Sequence, residues 1–208
     1  MKTKILLMAL ILLGQAAAGS AQTFTAMTYN VTLPGGNTSD MVGSKLHWRG
    51  VGMDFHKFTS EKVSVGLSFA WHVMNRSTDE LITLDREDVA LDVAGRQFRY
   101  INSFPLLASV HYYPKASRES DFTPYFGMNA GAYAISQRLE IGLSALEKTS
   151  WHLGFAPEIG FAIGFGEAKL VMNARYNYAL PATGITGESL SWGYFSFNVG
   201  FAWQTGYY

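Results

Sequence analysis

The stretch WHLGFAPEIGFAIGFG, Trp151 to Gly166, decides how this chain is read. Trp151, Leu153, Phe155, Ile159, Phe161, Ile163 and Phe165 recur at every second place. Between them stand His152, Gly154, Ala156, Glu158, Gly160, Ala162 and Gly164. A period of two belongs to a β-strand with two unlike faces. Glu158 sits among the small residues, at the centre of a very apolar segment. Its placement requires that the small face be sheltered and the large face lie against something apolar.

The same alternation recurs along the chain and predicts strands at about 23–33, 46–58, 62–74, 98–113, 124–136, 150–165, 168–179 and 192–204. In the third, Val63, Val65, Leu67, Phe69, Trp71 and Val73 oppose Ser64, Gly66, Ser68, Ala70 and His72. In the last, Phe195, Phe197, Val199, Phe201 and Trp203 oppose Ser196, Asn198, Gly200 and Ala202. The fourth and fifth segments do not declare which face is inward. The connections run long (34–45), short (59–61), long (75–97), medium (114–123), long (137–149), very short (166–167) and long (180–191). Long loops outside and tight turns in the periplasm are the habit of bacterial outer-membrane barrels.

Composition points the same way. Charged residues make up 15% of the 208 residues, below the usual quarter or so, and the formal net charge is zero. No broad basic surface for nucleic acid is implied. The absence of cysteine excludes disulfides, thiolate metal sites and a cysteine nucleophile. Residues 1–21 read as a signal peptide: Lys2 and Lys4, an apolar run from Ile5 to Leu13, then small residues ending at Ala21. That run is shorter than the ~20 residues a membrane helix needs. Residues 22–208 are read as one domain.

Two barrels could be drawn from eight such strands. A soluble barrel would show water an outer face of glycine, alanine, serine and asparagine, almost without lysine or glutamate. Its narrow lumen would also have to hold the entire large set, whereas a ring of eight strands is just filled by ordinary side chains. Turned the other way, the large residues meet lipid and the small polar ones pack inside. The expected fold is therefore all-β: an eight-stranded antiparallel up-and-down transmembrane β-barrel. About ten residues per strand, at ~3.3 Å each and tilted, cover the ~25 Å apolar band. Trp48, Trp71, Trp151, Trp192 and Trp203 fall mostly near strand ends, where aromatic girdles sit.

If Gly166-Glu167 forms a two-residue hairpin turn, Phe165 faces Ala168 and, counting back, Glu158 faces Arg175. Arg175 shares its face with Val171, Asn173 and Asn177. Opposite charges directly across an antiparallel pair attract. On the lipid face at mid-depth a charge costs roughly 2–4 kcal/mol. The two residues are predicted to form an ion pair inside the lumen. Asp54, His56, His72, Asn129, Asn173 and Asn177 are expected to extend a polar network around them. A three-residue turn at 59–61 would set His56 opposite Ser64 and Trp48 opposite His72. Pro105 and Pro157 each remove a ladder donor from a structure without edges, and a bulge or a local water is expected at each.

Taken in order, YNVTLPGG (Tyr29 to Gly36), WRGVGMDFHKF (Trp48 to Phe58), VSVGLSFAW (Val63 to Trp71), PYFGMNAGAY (Pro124 to Tyr133) and APEIGF (Ala156 to Phe161) resemble the eight-stranded outer-membrane barrel family that includes OmpX- and OmpW-like proteins. The resemblance implies a Gram-negative outer-membrane location and a setting of outer-membrane lipids including lipopolysaccharide. It also implies insertion by the outer-membrane assembly machinery, which reads a final strand ending in an aromatic residue. Here Phe195 to Trp203 carries the alternation, and the terminal Tyr208 is one place out of phase.

The chemistry-bearing residues are few. Ser150 and His152 are the one local pair that could suggest a lipid A-modifying enzyme. A serine two places from a histidine on one face is common by chance, so no catalytic residue is assigned. The loop from Asn75 to Gln97 sets Asp79, Glu80, Asp85, Glu87, Asp88 and Asp92 against Arg76, Arg86 and Arg96 in a spacing that matches no EF-hand. No metal or cofactor is expected. The leading expectation is a non-enzymatic, porin-like cell-envelope barrel with a filled polar lumen, acting in envelope structure or through surface loops whose partner is unknown. The alternative is a narrow OmpW-like channel for small solutes.

Overall fold

The computed structural model describes residues 23–78, 82–86, 89–93, 97–114, 121–141, 144–165, 168–183 and 189–205. Residues 1–21, read above as a signal peptide, Gly166 and Glu167, where a two-residue turn is expected, and Tyr207 and Tyr208 lie outside them. So do the side chains of residues 79–96, which include most of the charged loop. The elements are β1 (Thr23–Gly35), α1 (Asn37–Val42), β2 (Arg49–Ser60), β3 (Val63–Thr78), β4 (Ile82–Arg86), β5 (Val89–Val93), β6 (Gln97–Tyr112), β7 (Phe122–Ile141), β8 (Ser144–Phe165), β9 (Ala168–Thr183) and β10 (Ser189–Thr205).

Eight of the strands close into one ring, β1-β2-β3-β6-β7-β8-β9-β10, every neighbour antiparallel, with β10 pairing back on β1. Closure leaves no row of unpaired backbone groups, which is what a sheet in hydrocarbon requires. Thr23 and Thr205 pair at one end of the ring, called here the terminal end. The opposite end is the loop end.

The facing expected from the alternation is what the barrel shows. Phe69, Trp71, Phe155, Ile159, Phe197, Phe201 and many other large apolar side chains are exposed on the outer wall. Ser64, Ser68, Glu158, Asn173, Arg175, Ser196 and Asn198 are buried inside. In β6 and β7 the odd-numbered residues point inward: Ser103, Pro105, Leu107 and Ser109, then Tyr125, Asn129, Tyr133 and Ile135. Their inner faces mix large apolar with polar groups, so the pattern hid which face was which.

Several expectations are corrected. Trp48, Trp71, Trp151 and Trp203 are exposed on the outer wall, but Trp192 shares the inward phase of Tyr194 and Ser196 and is 1% exposed. The connection at 59–61 is instead a two-residue turn, Glu61-Lys62, with a register shift between Phe58 and Ser60. His56 therefore pairs with Gly66, and His72 with Gly50. The displacement is an even number of residues, so every facing survives it. Neither proline makes a bulge. Beside Pro105 the β3–β6 ladder skips from Phe69↔Leu106 to His72↔Ser103, and beside Pro157 the β8–β9 ladder skips from Phe155↔Tyr178 to Glu158↔Arg175. In both, the register on the far side of the gap is unchanged. Each proline keeps its pairing on the other flank, Pro105↔Tyr133 and Met128↔Pro157.

The long loops expected at 137–149 and 180–191 are mostly strand. β7 and β8 stay paired as far as Ile141↔Ser144. At ~3.3 Å per residue, the 22 residues of β8 far exceed the apolar band. The hairpin therefore projects from the loop end. There Arg138 meets Glu140 at 2.6 Å and Glu147 at 3.7 Å. The stretch 75–97 contains the β4–β5 hairpin, and 34–45 contains α1. Gly36 and Gly43 bracket α1 with φ of 52° and 82°, turns that a residue with a Cβ resists.

Candidate functional site

The lumen is filled in three layers. At the terminal end Phe24, Phe58, Tyr113, Tyr125, Ala162, Val171 and Ala202 pack together. At mid-depth lies the polar layer centred on Glu158 and Arg175. Toward the loop end Met74, Ile101, Leu107, Tyr133, Ile135, Trp192 and Tyr194 form an apolar layer, and α1 inserts Val42 into it with Met41 alongside. Thr38 of α1 accepts a hydrogen bond from the Gly193 backbone N–H at 3.1 Å, which ties the short helix to the barrel wall.

Glu158 and Arg175 pair directly across β8 and β9, as the turn at 166–167 predicted. Arg175 Nε donates to Glu158 Oε2 at 2.8 Å, and Nη2 lies 2.7 Å from the same oxygen. The guanidinium then spans the lumen. Nη1 donates to Ser68 Oγ at 2.7 Å, and Nη2 lies 3.4 Å from Asp54 Oδ1. Glu158 also accepts from Tyr125 Oη at 2.8 Å and Asn129 Nδ2 at 3.1 Å. Taking two charges out of water is costly unless such partners occupy the remaining donors and lone pairs. Here they come from β2, β3, β7, β8 and β9, so the pair cross-links most of the ring.

Two glycines make room for this. A Cβ at Gly160 would lie 2.6 Å from Tyr125 Cζ, and one at Gly127 2.8 Å from His111 Cδ2. Glycine at these places lets the two rings lie against the wall and reach Glu158.

Of the six network residues expected, Asp54 and Asn129 contact the ion pair itself. Asn173 joins through Tyr125, donating to its hydroxyl at 3.1 Å. His56 stands one step away, stacked on His111 with ring centroids 4.0 Å apart, and His111 Nε2 is 3.8 Å from Glu158 Oε2. Asn177 belongs to the next layer, where it donates to Ser196 Oγ at 3.1 Å and accepts from Tyr133. His72 does not reach the pair; it lies edge-on to Tyr194 with ring centroids 5.2 Å apart. Sequence reasoning missed Tyr125, His111, Ser68 and Asn198, the last donating to Asn173. Tyr125 and His111 lie on the two strands whose facing the alternation left open. Ser68 was on a face correctly read as inward but carried no charge to mark it. Among the described residues, no group of three or more His, Asp or Glu side chains is arranged to hold a metal ion.

Ser150 and His152 do meet: Ser150 Oγ is 2.7 Å from His152 Nε2. The other ring nitrogen lies 2.7 Å from the backbone carbonyl of Leu180. A carbonyl, not a carboxylate, stands where a catalytic triad has its acid.

Two recesses open at the loop end, one on each side of α1. The first, about 330 Å³, has Met41, Leu139, Leu190 and Trp192 as apolar walls and Asn37, Asp40, Arg99 and Gln137 as polar ones. The second, about 850 Å³, is polar and is lined by Lys45, Asn75, Arg76 and the end of α1.

Solved structures bear out the resemblance at the level of fold. The outer membrane protein OprG from Pseudomonas aeruginosa superposes with a TM-score of 0.52 at 16% identity, over 90% of this chain and 97% of that one. Ail, the attachment invasion locus protein of Yersinia pestis, gives 0.50 at 10% identity, over 89% and 99%. No family model and no curated protein matches the sequence. The chain has the fold of eight-stranded outer-membrane barrels of the OmpW and OmpX type.

Proposed function

We propose that this chain is an integral outer-membrane barrel of a Gram-negative bacterium. It is non-enzymatic and sealed along its axis, and it serves envelope structure or surface contact through its loop end. The observation that carries the reading is the burial of the mid-lumen layer. Glu158 is 6% exposed, Arg175 4% and Asn129 0%, and Leu107, Tyr133 and Tyr194 above them are at 1% or less. A path wide enough for water would leave its lining accessible. The reading extends to the setting. The outer wall is in contact with outer-membrane lipid, including lipopolysaccharide. The assembly machinery inserts the barrel by way of β10. Met1 to Ala21 is removed on export.

Single-channel recording in planar bilayers tests the seal. Conductance no higher than that of the empty bilayer supports it. Discrete openings overturn it in favour of a narrow channel of the OmpW-like kind. His152, held by Ser150 on its own strand and set against the Leu180 carbonyl, is read as a strut from β8 to β9 beyond the end of their ladder at Gly154↔Ala179. Mass spectrometry of lipid A from cells expressing the wild type or Ser150→Ala tests that reading. Identical spectra support it, and a modification lost only in the variant replaces it with lipid A chemistry.

A further inference from the structure

The recess over Trp192 sets a buried, unpaired donor beside an arginine that no described carboxylate approaches. Trp192 is 1% exposed and forms part of its wall, yet its indole Nε1 has no hydrogen-bond partner. A buried donor left unpaired costs about 1–3 kcal/mol. Such a group in a native protein calls for an explanation. In the same recess stands Arg99, half-buried. Its guanidinium makes one long hydrogen bond, 3.4 Å to Gln97 Oε1, and among the described residues no carboxylate lies within 4 Å of it. Met41, Leu139 and Leu190 supply the rest of the surface, and Asp40 stands exposed at the side of α1. An apolar hollow with a few polar groups on its walls is the ordinary form of a small-molecule site.

The donors select the ligand. Indole N–H and guanidinium both give hydrogen bonds and accept none. The matching group is an acceptor, and beside an arginine that no carboxylate among the described residues approaches it is an anionic one. The walls require an apolar body. Asp40 disfavours a second negative charge. Below the recess the described side chains of the apolar and polar layers are buried, so an occupant leaves toward the loop end. From this we infer that the recess between α1, β6, β7 and β10 binds a small apolar monocarboxylate, whose carboxylate is held by the Arg99 guanidinium and the Trp192 indole N–H. The site deepens the proposed surface-contact role and rests on the closed lumen only for its direction of exit.

The test uses the full barrel, refolded into phospholipid nanodiscs free of lipopolysaccharide, with 4-phenylbutyrate as probe and 4-phenylbutanol as its uncharged counterpart. Calorimetric titration against empty nanodiscs is expected to show saturable one-to-one binding of the acid, with the alcohol about tenfold weaker. Arg99→Gln is expected to weaken the acid about tenfold. Trp192→Phe, which keeps the apolar wall and removes only the donor, is expected to weaken it several-fold. Heat-modified gel mobility confirms that each variant is folded before titration. No saturable binding above empty discs overturns the proposal. So does equal affinity for acid and alcohol, or for wild type and both variants. Conductance recorded on the same preparation keeps the two readings apart. Binding together with discrete openings removes the sealed-lumen reading and leaves the site, while neither binding nor openings does the reverse.

Discussion

At mid-depth the lumen holds Glu158, Arg175, Asp54 and Asn129; one layer nearer the loops it holds Trp192, Tyr194, Met74 and Ile101. Both layers are built from inward-facing positions of the same barrel, on different strands for the residues named, and both are almost without exposed surface. Their stabilities have different origins. The polar layer is a set of charges that must all be matched, and it gains little over an apolar filling of the same volume. The loop-end layer gains by removing apolar surface from water and by close packing, and a missing side chain there leaves a void. The first layer is intolerant of losing one partner, the second of losing volume.

The largest test of that contrast is Arg175→Leu, which leaves Glu158 buried without its cation and is expected to cost roughly 3–5 kcal/mol. The double variant Glu158→Leu with Arg175→Leu should recover most of that loss. Urea midpoints read from heat-modified gel mobility give both values. A double variant no more stable than the single removes the pairing claim.

Next in size is Trp192→Ala, expected to cost about 3 kcal/mol through the cavity it leaves. Planar-bilayer recordings of this variant should stay silent, because the mid-depth layer beneath is intact. Openings in Trp192→Ala would place the seal in the loop-end layer instead.

Tyr125→Phe removes the hydrogen bond donated to the Glu158 carboxylate and the one its hydroxyl accepts from Asn173, and nothing of the ring that stacks on His111. A loss of about 1.5 kcal/mol is expected, as befits a bond to a charged group. A loss near zero, measured the same way, would show that Arg175 and Asn129 satisfy Glu158 without it.

The smallest effect lies above both layers. His47, between α1 and β2, accepts a hydrogen bond from the Asn75 backbone N–H at Nδ1, 3.3 Å away. Burial lowers its pKa from the ordinary 6.5. The folded chain thus prefers the neutral ring, and the unfolded chain takes up a proton first as pH falls. The stability this contributes is whole above about pH 6.5 and is lost as pH drops through the lower folded value. Urea midpoints measured from pH 7.5 to 4.5 should fall less steeply in His47→Gln than in the wild type. Equal slopes would remove His47 as a source of acid sensitivity.

Much of the site could be read before any fold was known, and particular residues show where that stopped. Glu158 and Arg175 announced themselves because a charge on an alternating strand has only one tolerable side, and a very short turn fixed their register. Tyr125 and His111 gave no such sign. The inner faces of β6 and β7 carry Leu107, Tyr133 and Ile135, which read like lipid-facing residues. Trp192 misled for the same reason: an indole suits a membrane interface as well as a packed lumen. α1 is too short for a helical period to show, and the projecting end of β7–β8 lies outside hydrocarbon, where alternation is no longer imposed.

By itself the amino-acid sequence determined the number of barrel strands, the outward set of six of them and the mid-depth ion pair, since each follows from side chains alternating between lipid and lumen at a fixed period of two. Only the tertiary structure decided how the lumen is filled, which rings reach Glu158, and that Trp192 lines a recess with its N–H unmet. Those outcomes depend on groups brought together across the barrel from strands distant in the chain, and no local period encodes a contact made across an axis.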